Sequence, residues 1–323
     1  MTTATTPSAP TVDAVVIGRN EGARLVACLR SLQGQVRRIV YVDSGSTDGS
    51  ADAAARLGAR VVPLDMGQPF TAARARNAGI ATLRDSAPDF IQFVDGDCTL
   101  DAGWITAALA AFAEDDRLAV VCGRRRERFP GASVYNQLAD REWDTPIGPA
   151  RACGGDALMR HAPVAAVGGF RESLIAGEEP ELCLRLRQAG WSILRIDAEM
   201  TLHDAAMTRF GQWWKRAVRA GHAFAEGASL HGRGPDRHWV AETRRALIWG
   251  AALPLTILAA GLAQPALFGL LVIYPLQVLR LSRRHGGTAG LFLLLARFPE
   301  AQGALKFYLN RLRGRRQGLI EYK

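Results

Sequence analysis

Five short runs rich in β-branched residues alternate with Ala- and Leu-rich stretches of helical length across roughly the first 130 residues, and this alternation restricts the possible folds more than any other feature. The runs are "VDAVVIG" (Val12–Gly18), "RRIVYVDSG" (Arg37–Gly45), "ARVVPL" (Ala59–Leu64), "DFIQFVDGD" (Asp89–Asp97) and "LAVVCG" (Leu118–Gly123). Between them, "NEGARLVACLRSLQG" takes Asn20 as N-cap and Gly34 as stop, and "STDGSADAAARLG" stops at Gly58. Continuous apolar strands separated by helices predict a parallel sheet covered on both faces. Ligands of such sheets bind beyond the carboxyl ends of the strands. Those ends read "GRNEG", "VDSGSTDGS" and "VDGDC", so acidic residues gather where a ligand belongs. No strand is followed by G-x-G-x-x-G or by G-x-x-x-x-G-K-[ST], which argues against a dehydrogenase and a P-loop enzyme.

At 323 residues the chain has room for one large domain or for a domain with an appendage. Its five cysteines are scattered and show no C-x-x-C, which suits a reducing compartment better than a disulfide framework or a zinc site. The opening "MTTATTPSAP" has neither a basic nor an apolar region of signal-peptide type and reads as a disordered lead over residues 1–10. The net charge of +9 has much of its excess after Arg280, in "RLSRRHGG" and "RLRGRRQG". That charge flanks the most apolar part of the chain, which favours lipid over nucleic acid as its partner. From Ala246 to Leu279 no residue is charged; these roughly 34 residues, broken at "AQP", suit two helices of about 17 residues, near the minimum for a span. Arginines on both flanks place both ends in the cytoplasm. The hairpin either spans or lies in the interface, a buried pair in a soluble protein being the alternative. "GLFLLLARF" and "GALKFYLNRLRGRRQG" read as interfacial segments with a basic face.

"VVIGRNEG", "VDSGSTDGS", "ARARNAGI", "FVDGDC" and "GEEPELCLRLRQAGW" occur in this order between about Val12 and His203, and together they resemble the family 2 glycosyltransferases of the membrane-associated bacterial type. The resemblance implies the GT-A fold: an α/β domain with a mixed, mainly parallel sheet and helices on both faces. Here that domain is expected over residues 11–230, followed by a membrane-associated helical region over 231–323. It also implies inverting transfer from a nucleotide diphosphate-sugar, with Asp43 and Asp48 at the nucleobase, and with Asn20 and Glu21 lining base and ribose. Asp48 reads equally well as part of a helix N-cap, and Glu21 as a first-turn carboxylate. Arg74 and Asn77, which share a helix face more nearly than Arg74 and Arg76 do, are expected to face the diphosphate and sugar. Asp95-Gly96-Asp97 then matches the family's D-x-D motif. Asp97 would be the stronger ligand for Mg²⁺ or Mn²⁺, with Asp95 reaching the ribose or a metal-bound water. Hard oxygen ligands suit such an ion, which neutralises the departing diphosphate. His203 is either a further ligand or a satisfied hydrogen-bonding residue.

An inverting transfer needs a base for the acceptor hydroxyl. With Pro180 at N1 of a helix ending at Gly190, Glu178 and Glu179 are expected to project from a loop, while Leu182, Leu186 and Ala189 form the buried stripe. The family usually has E-D at this place, so Glu179 stands where the Asp would be and is the first choice for base, with Glu178 second. "FGQWWKRAVRAG" departs at two positions from the Q-x-x-R-W of processive synthases, which favours transfer of a single sugar. The four arginines of "CGRRRERF" read as a solvated basic run or as a site for a lipid phosphate. The expected partners are a UDP- or GDP-sugar donor, a lipid-linked or saccharide acceptor, and the inner membrane; no nucleic acid is expected. The competing readings are a sugar-phosphate nucleotidyltransferase, for which "IGRNEG" is a poor phosphate loop, and a non-catalytic membrane scaffold.

Overall fold

The computed structural model describes residues 9–315 and Gly318, so the lead expected over residues 1–10 lies almost wholly outside the described residues, as does the end of the basic tail. The strands are β1 (Val12–Gly18), β2 (Arg38–Asp43), β3 (Arg60–Pro63), β4 (Phe90–Asp95), β5 (Cys98–Leu100), β6 (Leu118–Glu127), β7 (Gly148–Pro149), β8 (Ala157–Arg160) and β9 (Ser192–His203). The helices among and after them are α1 (Ala23–Leu32), α2 (Ser50–Arg56), α3 (Ala72–Thr82), α4 (Trp104–Glu114), α5 (Val134–Glu142), α6 (His161–Ala166) and α7 (Glu178–Gln188). They are followed by α8 (Phe210–His231), α9 (Val240–Leu247), α10 (Leu253–Ala263), α11 (Ile273–His285), α12 (Gly287–Leu295) and α13 (Arg297–Leu312).

Two compact units divide the chain. The first runs to Gly131 and adds Ala139–Ser173 and Glu178–Ala205; the second holds Ala132–Leu138, Leu174–Gly177 and the chain from Ala206 onward. In the first unit the described residues form one sheet in the order β3-β2-β1-β4-β8-β6-β9-β5, with β7 joined to β9. Strands β1 to β4 are mutually parallel, and β8 enters antiparallel between β4 and β6. This is the mixed, mainly parallel sheet that the alternation of segments predicts. From β1 the chain winds outward through β2 to β3, then crosses back to place β4 on the other side of β1. The crevice at the carboxyl ends of β1 and β4 is therefore a topological switch point, where such sheets bind ligands.

One charge interrupts the buried face of β1. Asp13 is fully buried, and its carboxylate accepts hydrogen bonds from Arg37 (2.9 and 2.8 Å) and Arg38 (3.1 and 2.6 Å) at the start of β2. Burial raises the Asp13 pKa, but the hydrogen bonds from the two arginines outweigh it and hold the group below its ordinary value. A depressed folded-state pKa contributes stability that is present above the unfolded value of about 3.9 and is lost as pH falls through the folded value. Asp13→Asn is expected to cost about 2 kcal/mol at pH 7, less than for a fully enclosed pair because both arginines are one-third exposed. Urea titrations should show a lower midpoint at pH 7 and a flatter loss of stability below pH 4 than in the parent.

In the second unit α8 and α13 pack backbone to backbone. A Cβ at Gly221 would run into the Glu300 carbonyl and one at Gly303 into that of Val218. The inner face of α13, which includes Pro299, Glu300, Ala301 and Ala304, is buried. The small residues of α13 dock one face on α8, while Leu305, Leu309 and Leu312 stay exposed. Trp213 is buried and Trp214 donates to Gln302 (2.9 Å), so this pair packs within the helical unit. The apolar stretch forms two continuous helical segments, Val240–Ala263 and Pro265–His285, of 24 and 21 residues. At about 1.5 Å per α-helical residue, and about 2.0 Å in the 3₁₀ turn Pro265–Val272, they measure about 36 and 35 Å, against about 30 Å for a bilayer core. Leu255, Leu258, Leu262, Leu270 and Leu276 are exposed, which is not the pattern of a core helix pair. The Tyr274 hydroxyl donates to the Trp249 carbonyl (2.8 Å) and ties the two arms together.

Candidate active site

The turn between β4 and β5 is Gly96-Asp97, so Asp95 closes one strand and Asp97 precedes the next. Gly96 N–H donates to the Ile17 carbonyl (2.8 Å), which fastens the turn to the end of β1. Strand β5 pairs antiparallel with β9 and sets Cys98 opposite His203. That register brings His203 Nε2 to 3.2 Å from Asp97 Oδ2, with both residues buried. The edge of Trp143 lies against the His203 ring, centroid to centroid 4.7 Å. Burial, helped by the nearby Arg125 cation, pushes the His203 pKa down to about 4, so the imidazole is neutral at pH 7, as a metal ligand must be. Its Nδ1 is buried without a hydrogen-bond partner. The Cys98 thiol joins the cluster at 3.7 Å from Asp97 Oδ1, but a sulfur is a soft donor for which Mg²⁺ or Mn²⁺ has no preference. The donor set that remains, one carboxylate and one neutral imidazole, fits Mg²⁺ or Mn²⁺ with positions left for phosphate and water.

Asp95 does not stand free beside this pair. Its Oδ1 accepts from Arg76 Nη2 (2.8 Å), and Arg76 Nη1 donates to Glu178 Oε1 (2.6 Å). Arg125 Nη2 lies 4.0 Å from Asp95 Oδ2 and 2.7 Å from Asp156 Oδ2. Asp156 is fully buried; it also accepts from the Asp95 N–H (3.1 Å) and from the Thr201 hydroxyl (2.9 Å). The Arg76 guanidinium sits over Phe170 and that of Arg125 over Trp143, each 5.5 Å from the ring centroid. Gly155 leaves room for this chain of charges: a Cβ there would stand 2.9 Å from Asp95 Oδ2, 3.1 Å from Arg76 Nη2 and 3.2 Å from Arg125 Nη2. Gly155→Ala must displace at least one of these ion-paired groups. It is expected to lower turnover about 100-fold, a misplacement effect that steady-state kinetics will read.

The sequence-stretch expectations fare unevenly against this geometry. Asp43 is buried, but its oxygens accept from the Tyr41 hydroxyl (2.9 Å) and the N–H groups of Gly45 (3.1 Å) and Ser46 (2.9 Å), so it shapes the turn after β2. Asn20 is not the N-cap of α1, a place taken by Gly22. It adopts φ +56°, which Asn tolerates, and its Oδ1 accepts from Thr47 N–H (2.7 Å), joining the loops after β1 and β2. Glu21 precedes the N-cap of α1, outside its first turn, and pairs with Arg24 of that turn (2.7 Å). Asp48 is exposed and accepts from Ser50 N–H (3.0 Å) at the start of α2. Arg74 is turned to the 65–69 loop, donating to the carbonyls of Asp65, Gln68 and Pro69. Asn77 pins Phe170 and Glu172. In this structure Arg74 and Asn77 are engaged in these loop contacts, and Arg76, on the buried stripe Ala73–Arg76–Ile80 of α3, is the side chain that reaches the D-x-D turn. An arginine on that stripe was the signal available in the sequence.

In "CGRRRERF" Arg124 and Arg125 are turned inward, while Arg126 is exposed. Arg124 pairs with Asp140 (3.1 Å) and Asp144 (3.3 Å), Arg125 with Asp156, and Arg126 with Glu199 (2.6 Å). Three of the four arginines thus pair with carboxylates distant in sequence, and Arg128 donates to the Thr99 hydroxyl, partnerships that no local pattern reveals.

Helix α7 begins at Glu178, so Glu178 and Glu179 occupy its first turn and are buried rather than projecting from a loop. Pro180 is tolerated there because first-turn N–H groups have no intrahelical partner. The inner stripe is Leu182, Cys183 and Leu186, while Ala189 is exposed. Glu179 Oε1 accepts from Cys153 N–H (2.7 Å) and from the thiols of Cys153 (2.9 Å) and Cys183 (2.8 Å); Oε2 accepts from Gly154 N–H (2.9 Å). Burial raises the Glu179 pKa, only partly offset by these neutral donors.

A switch-point crevice holding a D-x-D turn, on a sheet of this order, defines a nucleotide-diphospho-sugar transferase of the GT-A fold. The chain belongs to the family 2 glycosyltransferases: the family model "Glycosyl transferase family 2" matches residues 13–175, half of its length. It is 28% identical over 268 residues to a pre-mycofactocin glycosyltransferase of Mycobacterium tuberculosis, a match covering 78% of this chain and 53% of that protein. To the succinoglycan biosynthesis protein ExoA of Rhizobium meliloti it is 29% identical over 194 residues, covering 55% of this chain and 58% of the other. The chain thus spans little more than half the length of these relatives. The fold is similar to that of a mannosyltransferase from Pyrobaculum calidifontis solved with GDP-Man and Mn²⁺, with TM-score 0.65, 21% identity, and 94% of this chain and 88% of that chain covered.

Proposed function

We propose that this glycosyltransferase moves one sugar, with inversion, from a UDP- or GDP-sugar to a lipid-linked or membrane-proximal saccharide acceptor at the cytoplasmic face of the inner membrane, in envelope or polysaccharide assembly. The observation that carries the reading is the buried Asp97–His203 pair, 3.2 Å apart at the switch point. Asp97 and His203 would hold Mg²⁺ or Mn²⁺, which when bound neutralises the charge that develops on the departing diphosphate. Arg76 and Arg125 keep Asp95 oriented and supply fixed positive charge beside it. Asn20, Glu21, Asp43 and Asp48 fix the loops that would receive the nucleoside.

Glu179 is the base in this reading. Glu178 Oε1 is engaged by Arg76 Nη1 at 2.6 Å, which commits that carboxylate to orienting the arginine. Glu179 meets only neutral donors, and burial raises its proton affinity, as the task demands. In the bound state the acceptor hydroxyl would displace a weak thiol donor from Oε1. Residues 11–230 would carry catalysis and 231–323 the membrane attachment, the latter supported by two apolar helical segments of spanning length with arginines at their ends.

The test is to incubate the purified chain in vesicles with labelled UDP- and GDP-sugars, Mn²⁺ and a bacterial lipid extract. The expected result is release of nucleoside diphosphate with label entering the organic phase. Label confined to water-soluble saccharide would overturn the lipid-linked acceptor, and absence of nucleoside diphosphate with every donor would overturn the catalytic reading.

A further inference from the structure

Two thiols and a carboxylate meet behind the first turn of α7. Cys183 follows Glu179 by four residues and so shares its helix face, while the loop before β8 brings Cys153 from a distant part of the chain. Cys153 Sγ and Cys183 Sγ lie 2.9 and 2.8 Å from Glu179 Oε1 and 3.9 Å from each other. We propose that Cys153, Glu179 and Cys183 form a binding site for a thiophilic divalent cation of the Zn²⁺ class, separate from the Asp97–His203 pair.

The sulfur spacing already matches that of a loaded site, while the two thiol–carboxylate distances of 2.9 and 2.8 Å have to lengthen to about 3.5 Å as the ion replaces the thiol protons. In tetrahedral coordination with Zn–S near 2.3 Å, two ligand sulfurs stand about 3.8 Å apart. The backbone N–H groups of Cys153 and Gly154 hold the carboxylate in place and keep the loop against α7, so the adjustment falls on the two cysteine side chains. Charge is conserved as well. Two protonated thiols and one carboxylate carry −1; two thiolates, one carboxylate and Zn²⁺ also carry −1. Loading exchanges two thiol protons for one metal ion with no change in buried charge and no redox step. Without metal, burial keeps both thiols protonated, that of Cys183 pushed up to about 12. Cys153 is only partly buried, which provides a path of entry. A disulfide is a poorer reading of the pair, because bonding the sulfurs at about 2.05 Å would break both thiol–carboxylate hydrogen bonds. A hard ion such as Mg²⁺ has no preference for thiolates, so the two sites select different metals.

If Glu179 is the base proposed above, loading occupies its Oε1 lone pair and stops transfer reversibly. The full chain, stripped with chelator, is titrated with Co²⁺ as a spectroscopic substitute for Zn²⁺. The expected result is a thiolate-to-cobalt charge-transfer band that saturates at one equivalent with release of two protons. Cys153→Ser and Cys183→Ser should each remove about half of the band or all of it, and Cys98→Ser should leave it intact. Cobalt X-ray absorption on the unmutated chain, which needs no variant to fold, should count two sulfur ligands. Absence of the band, a sulfur count of zero, or loss of the band in Cys98→Ser alone would overturn the site. A chain that shows the band yet transfers sugar at an unchanged rate supports the site and removes Glu179 from the proton-transfer role.

Discussion

Asp97→Asn is expected to lower sugar transfer about 1,000-fold, equivalent to about 4 kcal/mol of transition-state stabilisation, while the chain stays folded. Asn preserves the volume of a side chain that is buried in the turn between β4 and β5. What it removes is the anionic oxygen 3.2 Å from His203 Nε2, and with it the carboxylate on which divalent-ion binding at this pair depends. The accompanying measurement is thermal unfolding with nucleoside diphosphate and Mn²⁺. A ligand that binds only the folded state raises the melting temperature with the logarithm of its concentration. The parent should show that rise with UDP or GDP, and the variant should not. Equal stabilisation of both proteins, with activity retained, would mean that the D-x-D turn has no part in holding the diphosphate.

Glu179→Gln is the second large effect, an expected fall in kcat of about 100- to 10,000-fold with donor affinity unchanged. Gln matches the shape of Glu but places an N–H₂ group where one carboxylate oxygen now accepts. All four groups around that carboxylate are donors, the N–H groups of Cys153 and Gly154 and the two thiols. One donor–donor contact is therefore unavoidable, with a stability loss of about 1–3 kcal/mol. The kinetic readout separates the two consequences. A base lost from the reaction lowers kcat and leaves the nucleotide-dependent melting shift in place. Glu178→Gln supplies the comparison, since it leaves Arg76 with one carboxylate partner fewer and should weaken orientation of Asp95 rather than abolish proton transfer. Full activity in Glu179→Gln with loss in Glu178→Gln would reverse the assignment.

The parallel strands were legible because their apolar runs are continuous and local. A strand buried on both faces must be apolar at most positions, and "VDAVVIG" and "DFIQFVDGD", interrupted only by the buried Asp13 and Gln92, show this with no knowledge of their neighbours. The apolar hairpin was legible for the same reason, since an uncharged stretch of spanning length is a property of adjacent residues. The D-x-D turn and His203 were also visible, as residues of the right chemistry at strand ends. Their approach to 3.2 Å was not, because it depends on the antiparallel register of β5 against β9.

Partnerships between charges were the hardest to see. Arg76 pairs with Glu178 and Asp95, and Arg125 with Asp156, residues 102, 19 and 31 positions away. An arginine is equally at home on a solvated surface or in a buried ion pair, so composition alone made "CGRRRERF" look like an exposed basic run. The start of α7 was misplaced by two residues for a related reason. Pro180 is compatible with any position in a first turn, and the helix extends back to Glu178, where Arg76 holds the carboxylate.

By itself, then, the sequence determined the parallel α/β class, the carboxylates at the sheet's edge and the apolar hairpin, because backbone preference and hydrophobic burial act over a few adjacent residues. Tertiary structure alone decided which arginine of "ARARN" serves the site, that Asp95 is clamped, and that scattered Cys153 and Cys183 converge on Glu179. Those outcomes depend on ion pairs and hydrogen bonds formed in low dielectric, whose strength comes from a burial that exists only once the chain has folded.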